Sequence, residues 1–395
     1  MNTRRLFWVL FLLNLLNYVD RQVLYAVFPL LQTDLHVTDL QLGALASAFM
    51  LVYMCYAPVM GYLADRINRP RLIALSALVW SGATLACGVA KNYMSLFIPR
   101  ALIGVGEGGF TTIAQPFLAE NYPRKKHASM LALFGLALPI GSALGYILGG
   151  FVGQHGGWRM AFVLAGVPGI FLALLATMCL QDKQREKRVA GPTLKDYLPL
   201  FRNGPFLRVC FAQAMSTFVM GGMAAWMPMY LNRYAGLDVA QAGSYFGICV
   251  VTCGALGTFL GGKWAAALFV RTPRAYAWVI AGAFVSALPF CWLTLLSACP
   301  GLILTFLAVA LTLLFIPTGA IAAALVASTD EKIRSMAFAL NIFLIHLLGD
   351  AFSPTLIGWM SDRWNLKVAV LLASCVLFPG AWAAWRVKFT TRSLP

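Results

Sequence analysis

The chain has 395 residues, 60% of them hydrophobic and 11% charged, with a mean hydropathy of +0.77 and a formal charge of +16. So few ionic groups cannot cover the water-facing surface of a soluble protein of this size, in which about a quarter of residues carry charge. The long apolar runs do not alternate with polar residues, which excludes a lipid-facing β-barrel.

Apolar stretches of roughly 20 or more residues, enough to cross a ~30 Å hydrocarbon core, recur along the chain. Backbone groups in lipid must be satisfied internally, so these stretches are predicted to be helices. The first covers 6–31. Arg4 and Arg5 before it mimic the start of a signal peptide, but Asp20 and Arg21 at its centre and the missing small-residue cleavage site make it a membrane span. Asn14, Asn17 or Tyr18, Arg21 and Tyr25 succeed one another at helical period. Such a polar stripe is stable only against protein or water. Asp20 is turned ~100° from Arg21, so the two need not satisfy each other and can reach different helices.

Spans 41–64, 71–90 and 93–119 come next. The last of these carries Arg100 and Glu107, seven residues apart and so on one face, about two turns or ~10 Å along the axis. Gly104, Gly106, Gly108 and Gly109 surround the acid and permit close helix approach or a cavity. Spans 128–153 and 158–180 complete a first set of six. Residues 182–205 are charged and contain Pro192, Pro199 and Pro205, which predicts a linker with a short surface helix near 194–201.

A second set of six is predicted at 206–234, 240–268, 275–296, 301–328, 333–360 and 367–387. The two sets match weakly at offsets near 200: Gly61 with Gly261, Arg71 with Arg271, Ser129-Met130 with Ser335-Met336, Trp158 with Trp364. The expected architecture is therefore an all-α membrane protein with twelve transmembrane helices in two pseudo-symmetric six-helix bundles, 1–181 and 206–395, joined by 182–205. Paired halves of this kind are a recurring transporter plan.

The 30 Lys and Arg residues settle the topology, and in doing so remove nucleic acid as an explanation of the charge. Outside the spans nearly all lie on the side of the termini and the 182–205 linker, and the opposite side holds only Lys91, Arg159, Arg233, Arg363 and Lys367. By the positive-inside rule both termini are cytoplasmic, in a multi-pass protein expected in a cytoplasmic (inner) membrane. Membrane lipids are the expected partners of this basic side, and a monomer is the expected state.

The charged side chains well inside spans are Asp20, Arg21, Arg100, Glu107 and Asp350. Each costs roughly 2.5–3.5 kcal/mol on insertion scales, which makes it a functional candidate. A carboxylate that moves between a desolvated and an arginine-flanked setting changes its proton affinity, so Glu107 with Asp20 is the expected proton-coupling pair. A static ion-pair network is the structural alternative. Arg21 and Arg100 offer forked donors to an anionic headgroup, or else neutralise the two acids. Asn17 and Tyr25 share the face of Arg21 and are expected to contact the same ligand. His346 and Asp350 form an i, i+4 pair in the eleventh span, suited to a substrate or proton contact or to structural hydrogen bonding. No nucleophile or second His cluster accompanies them, which argues against an enzyme such as a membrane acyltransferase. Cys249 and Cys253 share a helix face without a His or carboxylate to complete a metal site, and "GVGEGG" lacks the strand and Lys of an ATP loop. No cofactor, metal or direct ATP drive is expected.

The stretch from Gly61 to Arg71, GYLADRINRPR, resembles the Gly-x-x-x-Asp-Arg-x-x-Arg loop signature of the major facilitator superfamily. The resemblance implies a gate in which Gly61 brings two helices together and Asp65 accepts from a helix N-terminus. Arg66 and Arg69 would then pair with a carboxylate such as Glu120. Ala265 stands at the Asp position of the second half, so a latch there is degenerate. NYVDR (17–21), RALIGVGEGGF (100–110) and LGDAFSPTLIGWMSD (348–362) are similar to the Spinster branch, and LPIGSALGYILGG (138–150) to the superfamily's glycine-rich fifth helix. That branch is associated with lysophospholipid and sphingosine-phosphate export. The resemblance implies a secondary transporter of a lysolipid-like amphiphilic anion, driven by protons through alternating access. A drug or small organic-anion exporter is the alternative within transport, and a non-transporting lipid sensor outside it.

Overall fold

A computed structural model describes residues 3–64, 66–181, 197–270, 272, 274–330 and 333–387. Among them ten helices are long and apolar enough to cross a membrane: α2 (Asp39–Ala64), α3 (Arg69–Gly88), α5 (Ser129–Gly156), α6 (Trp158–Cys179), α7 (Gly204–Tyr234), α8 (Val239–Phe269), α9 (Ala275–Leu296), α10 (Pro300–Ala327), α11 (Met336–Arg363) and α12 (Leu366–Trp385). Two further long helices complete the expected twelve: α1 (Thr3–Ala26) and α4 (Tyr93–Glu120). They fall short in apolarity because they carry Asp20, Arg21, Arg100 and Glu107.

Span boundaries agree with expectation to within a few residues, with two departures. The first span is not continuous: a turn at Val27 separates α1 from the short helix Phe28–Leu35. Within the linker, the described helix is limited to Leu198–Phe201, and 182–196 lie outside the described residues.

Helix starts are set by local chemistry. Asn68 accepts from the Arg71 amide at α3, with Pro70 inside the first turn, and Asn365 does the same for Val368 at α12. Asn92 and Ser95 form a reciprocal capping box at α4. Prolines bend the interiors: Pro317 has no amide to offer the carbonyl four residues back, and α10 breaks at Ile316. In α11, residues His346–Asp350 form a π-turn in which Gly349 leaves helical geometry (φ −105°, ψ −105°).

The chain clusters into two compact units, 1–188 with 227–248, and 189–226 with 249–395. The end of α7 and the start of α8 therefore count with the first unit, where a strictly sequential partition would place them with the second.

In the first unit α2 packs on α4, α1 on α5, and α3 on both α4 and α6. Close backbone approach at glycines fixes these pairs. A Cβ on Gly104 would lie 2.5 Å from the Phe49 carbonyl oxygen of α2, and one on Gly106 2.6 Å from the Ser76 carbonyl oxygen of α3. One on Gly145 of α5 would lie 2.5 Å from the Val19 carbonyl oxygen of α1. Helix α4 is thus wedged between two backbones, its apolar Ile98 and Leu102 exposed and its charged Arg100 and Glu107 fully buried. This inversion of the soluble-protein pattern is what a lipid environment selects.

In the second unit α9 packs against α10 and α12. Helix α8 meets α10 at Gly261, where a Cβ would overlap the Ile316 carbonyl. Gly319, also on α10, faces open space. Gly261→Ala should therefore cost ~1–3 kcal/mol through overpacking and shorten the detergent-solubilised protein's half-life at fixed temperature several-fold. Gly319→Ala should leave the half-life unchanged, and equal effects of the two would contradict the packing described.

Candidate functional site

Helix α1 delivers Asp20 and Arg21 to opposite neighbours. Thr84 Oγ1 of α3 donates a hydrogen bond to Asp20 Oδ2, while Arg21 Nε donates to Glu107 Oε2 of α4 at 2.6 Å. The two acids are therefore satisfied from different helices, in keeping with the angular separation of Asp20 and Arg21 on α1. Asp20 is 2% exposed and Glu107 0%, whereas the Arg21 side chain retains 14%.

Aromatic rings complete the setting. The Arg21 guanidinium carbon lies 5.3, 5.0 and 4.9 Å from the ring centres of Tyr18, Phe49 and Tyr53. The Arg100 guanidinium shares the Phe49 ring, 4.7 Å from its centre. The Phe49 and Tyr53 rings are brought there by the Gly104 contact, because that glycine rests on the backbone at both residues. Tyr53 in turn shares a 2.8 Å hydrogen bond with Thr111 on α4.

The site is rich in polar atoms with no hydrogen-bond partner: all three guanidinium nitrogens of Arg100, both amide atoms of Asn17, Asp20 Oδ1, Arg21 Nη2 and Glu107 Oε1. Buried groups of this kind are normally paired, and a cluster of them marks a site kept for something other than stability. Arg100 and Arg21 both act electrostatically on Asp20 and on Glu107, so two cations and two anions form one enclosed group with no net charge. That neutrality makes the cluster tolerable in a low-dielectric interior.

Of the other residues singled out in the sequence, Asn17 lies one turn before Arg21 and is fully buried. Tyr25, one turn beyond, packs edge-on against Phe28 at 5.7 Å. Arg100 has no exposed surface in this conformation, whereas the Arg21 side chain retains some. His346 Nδ1 and Asp350 Oδ1 are 2.8 Å apart across the α11 π-turn, in the second unit.

The residues expected at a gate are arranged as follows in the first unit. Arg69 donates to both Glu120 oxygens, at 2.7 and 3.2 Å, in a forked pair joining the start of α3 to the end of α4. Arg66 instead lies over the Tyr62 ring at 3.4 Å and donates to the Tyr62 carbonyl. Asp65 lies outside the described residues. A Cβ on Gly61 would meet Thr112 Cγ2 at 3.6 Å, an ordinary contact, so close approach does not require this glycine in the observed conformation.

Sequence reasoning missed several participants. Thr84 sits in a run of small residues, and Phe49 and Tyr53 in an apolar stretch, and neither setting signals their role. It also missed a polar knot beyond the far end of α1. There Arg233 donates to both Asp39 oxygens at 2.7 and 2.5 Å and to Gln32 Oε1 at 2.8 Å, and Gln32 donates to Asp39 at 2.9 Å. Nearby, Trp158 and Arg159 donate to Asp34 at 3.0 and 2.8 Å, and the Arg159 bond, with the Trp158 bond, holds that carboxyl below its ordinary range.

Comparison with known proteins bears on the same geometry. The sequence profile of the Major Facilitator Superfamily matches residues 10–349. The chain is 34% identical to protein spinster homolog 1 of Xenopus tropicalis over 90% of its own length and 72% of that protein's. It is 30% identical to the sphingosine-1-phosphate transporter SPNS2 of the same organism, over 88% and 72%. The fold superposes on a crystal structure of a bacterial homolog of the human lysosomal transporter Spinster, in an inward-facing and unoccupied conformation. The TM-score is 0.86 at 21% identity, over 98% of this chain and 99% of that one.

Glu107→Ala should leave Arg21 with a buried, unpaired charge and destabilise the protein by ~3–5 kcal/mol. Adding Arg21→Met should recover part of that loss, read as the thermal midpoint in detergent. A double variant no more stable than Glu107→Ala alone would show that the two side chains are not coupled as described.

Proposed function

Because the chain belongs to the major facilitator superfamily and, within it, to the Spinster family, we propose that this membrane transporter couples proton movement to the passage of an amphiphilic anion by alternating access. The proposed cargo is a lysophospholipid or a related phosphorylated lipid. The observation that carries this reading is the Arg21–Glu107 pair, in which a fully enclosed carboxylate occupies one edge of a guanidinium that keeps partial exposure and a free Nη2.

Charge balance supplies the mechanism. With both acids ionised the cluster of Asp20, Arg21, Arg100 and Glu107 is neutral, and an added anion would be repelled by Glu107 as much as it is drawn by Arg21. A proton on Glu107 leaves one uncompensated positive charge, and Arg21 is the member positioned to offer it. An anionic headgroup then restores neutrality. Proton and anion favour each other's binding, and thermodynamic linkage makes the effect reciprocal. Because Asp20 and Glu107 are enclosed in the observed conformation, proton exchange belongs to a conformation that wets the site. Arg69 and Glu120 are assigned as the gate at the basic side, with Gly61, Asp65 and Arg66 in the same loop. His346 is assigned as the polar contact of the second unit. The bias of Lys and Arg toward one set of loops supports a cytoplasmic-membrane setting with both termini inside.

The test is transport in sealed vesicles with an imposed pH difference, using labelled lysophospholipid and, as a comparison, small drug-like anions. Glu107→Gln should abolish gradient-driven accumulation of the lysolipid while leaving gradient-free exchange within a few-fold of the parent. Asp20→Asn should weaken coupling in the same assay. Undiminished accumulation by Glu107→Gln would overturn the assignment, and accumulation of the drug-like anions alone would overturn the cargo.

A further inference from the structure

Helix α9 borders two cavities in the second unit. One, of about 490 Å³, is lined by Trp264 of α8, Trp278, Gly282 and Ser286 of α9, and Leu313 and Ile316 of α10. The other, of about 350 Å³, lies between α9 and α12 against Val285, Phe378, Trp382 and Trp385. Gly282 lines both, and a Cβ there would touch nothing within 4 Å. Trp278 and Trp385 stack at 6.0 Å between them. Each volume falls within the roughly 300–1,000 Å³ typical of ligand sites.

The first cavity lies beside a tight helix contact. Gly257 and Gly261 bring α8 onto the α10 backbone, where a Cβ at either position would overlap a carbonyl oxygen, of Thr312 and Ile316 respectively. One turn later Trp264, itself exposed, lines the cavity. The lining is apolar apart from Ser286, and no carboxylate lines either cavity among the described residues. Basic residues share helix faces with this lining: Lys263 is one turn before Ala267 and lies over the Phe259 ring, Arg274 is one turn before Trp278, and Arg386 is one turn after Trp382 and lies over its ring. All three are exposed.

We propose that this groove is a site for one anionic phospholipid of the leaflet on the basic side, with an acyl chain lying along α9 past Gly282 and the phosphate at the Arg274 and Lys263 rim. Dimensions favour that occupant: Arg274 and Ser286 are separated by about 18 Å of helix rise, and one leaflet's hydrocarbon is roughly 15 Å deep. Basic pockets between membrane helices on the positive side recognise phospholipid headgroups, and tryptophans anchor at that depth. The site is remote in sequence from the Arg21–Glu107 cluster and does not rest on the proposed transport mechanism.

The full chain, purified in detergent, is tested for retention of dioleoylphosphatidylglycerol against dioleoylphosphatidylcholine by native mass spectrometry. The parent should retain the anionic lipid preferentially. Gly282→Phe, which fills open space, should reduce retention of both lipids about tenfold, while Gly319→Phe, equally open on α10 but outside the groove, should change neither. Arg274→Gln and Lys263→Gln should each weaken only the anionic lipid, about fivefold per charge removed. Equal retention of the two lipids by the parent, or equal effects of the two glycine variants, would overturn the proposal. So would displacement of the phospholipid by lysophosphatidylglycerol together with loss of its transport in Gly282→Phe, since the groove would then be a substrate path.

Discussion

A charge can stay in a membrane interior only beside its opposite, and this condition governs the first unit. In the observed conformation the Arg21–Glu107 bond cannot be broken without leaving a buried carboxylate unpaired. The packing around it serves that bond and its near neighbours. Gly104 and Gly106 draw α2 and α3 onto α4, which carries Phe49 and Tyr53 over the arginines and Thr84 to Asp20. Gly145 holds α5 on α1 at Val19, directly before the charged pair. The glycines of the sequence are thus the means by which three helices reach four ionic side chains.

The same condition explains what could be read in the sequence. Apolar length set the spans, because hydrocarbon thickness leaves little choice, and the ionic residues stood out because their cost demands a reason. The turn at Val27 was passed over because apolar residues flank it on both sides, although Pro29 in the first turn of the next helix marks it. The partners of the charges were not legible either. Thr84 donates to its own helix at the Trp80 carbonyl as well as to Asp20, and nothing in a run of small residues separates those two uses. Arg233, Asp39 and Gln32 have the look of ordinary span-end residues, yet their mutual hydrogen bonding joins positions some 200 apart in sequence, a separation at which periodicity is silent.

The two units answer the membrane differently. In the second, an ionisable pair inside a span is His346 with Asp350, on one helix, and the bond between them crosses the π-turn of α11. An i, i+4 bond forms within a single helix, so it places no demand of its own on how other helices pack. What joins α11 to α7 is close packing with two hydrogen bonds: a Cβ on Gly221 would lie 2.5 Å from Asp350 Cβ and one on Gly349 2.9 Å from Thr217 Cβ, while Asn341 donates to Gln213 and Trp226 to the Pro354 carbonyl, each at 3.0 Å. A π-turn adds one residue to the helix and shifts the register of the residues after it, which makes α11 the element best suited to change its bend.

The sequence repeat also conceals a division of labour. Gly61 and Gly261 occupy matching positions, but only Gly261 is required by a carbonyl too close for any side chain, while Gly61 faces Thr112 at ordinary contact distance. Beside it in the first unit the forked Arg69–Glu120 pair joins α3 to α4, with Arg69 buried and Glu120 partly exposed. A junction held by an ion pair parts by side-chain movement, at the cost of leaving the buried arginine without its carboxylate. One held by backbone packing opens only if whole helices separate. At the matching place in the second unit Ala265 stands for the aspartate and Gly261 lies against the Ile316 carbonyl, so the two places differ in what holds them.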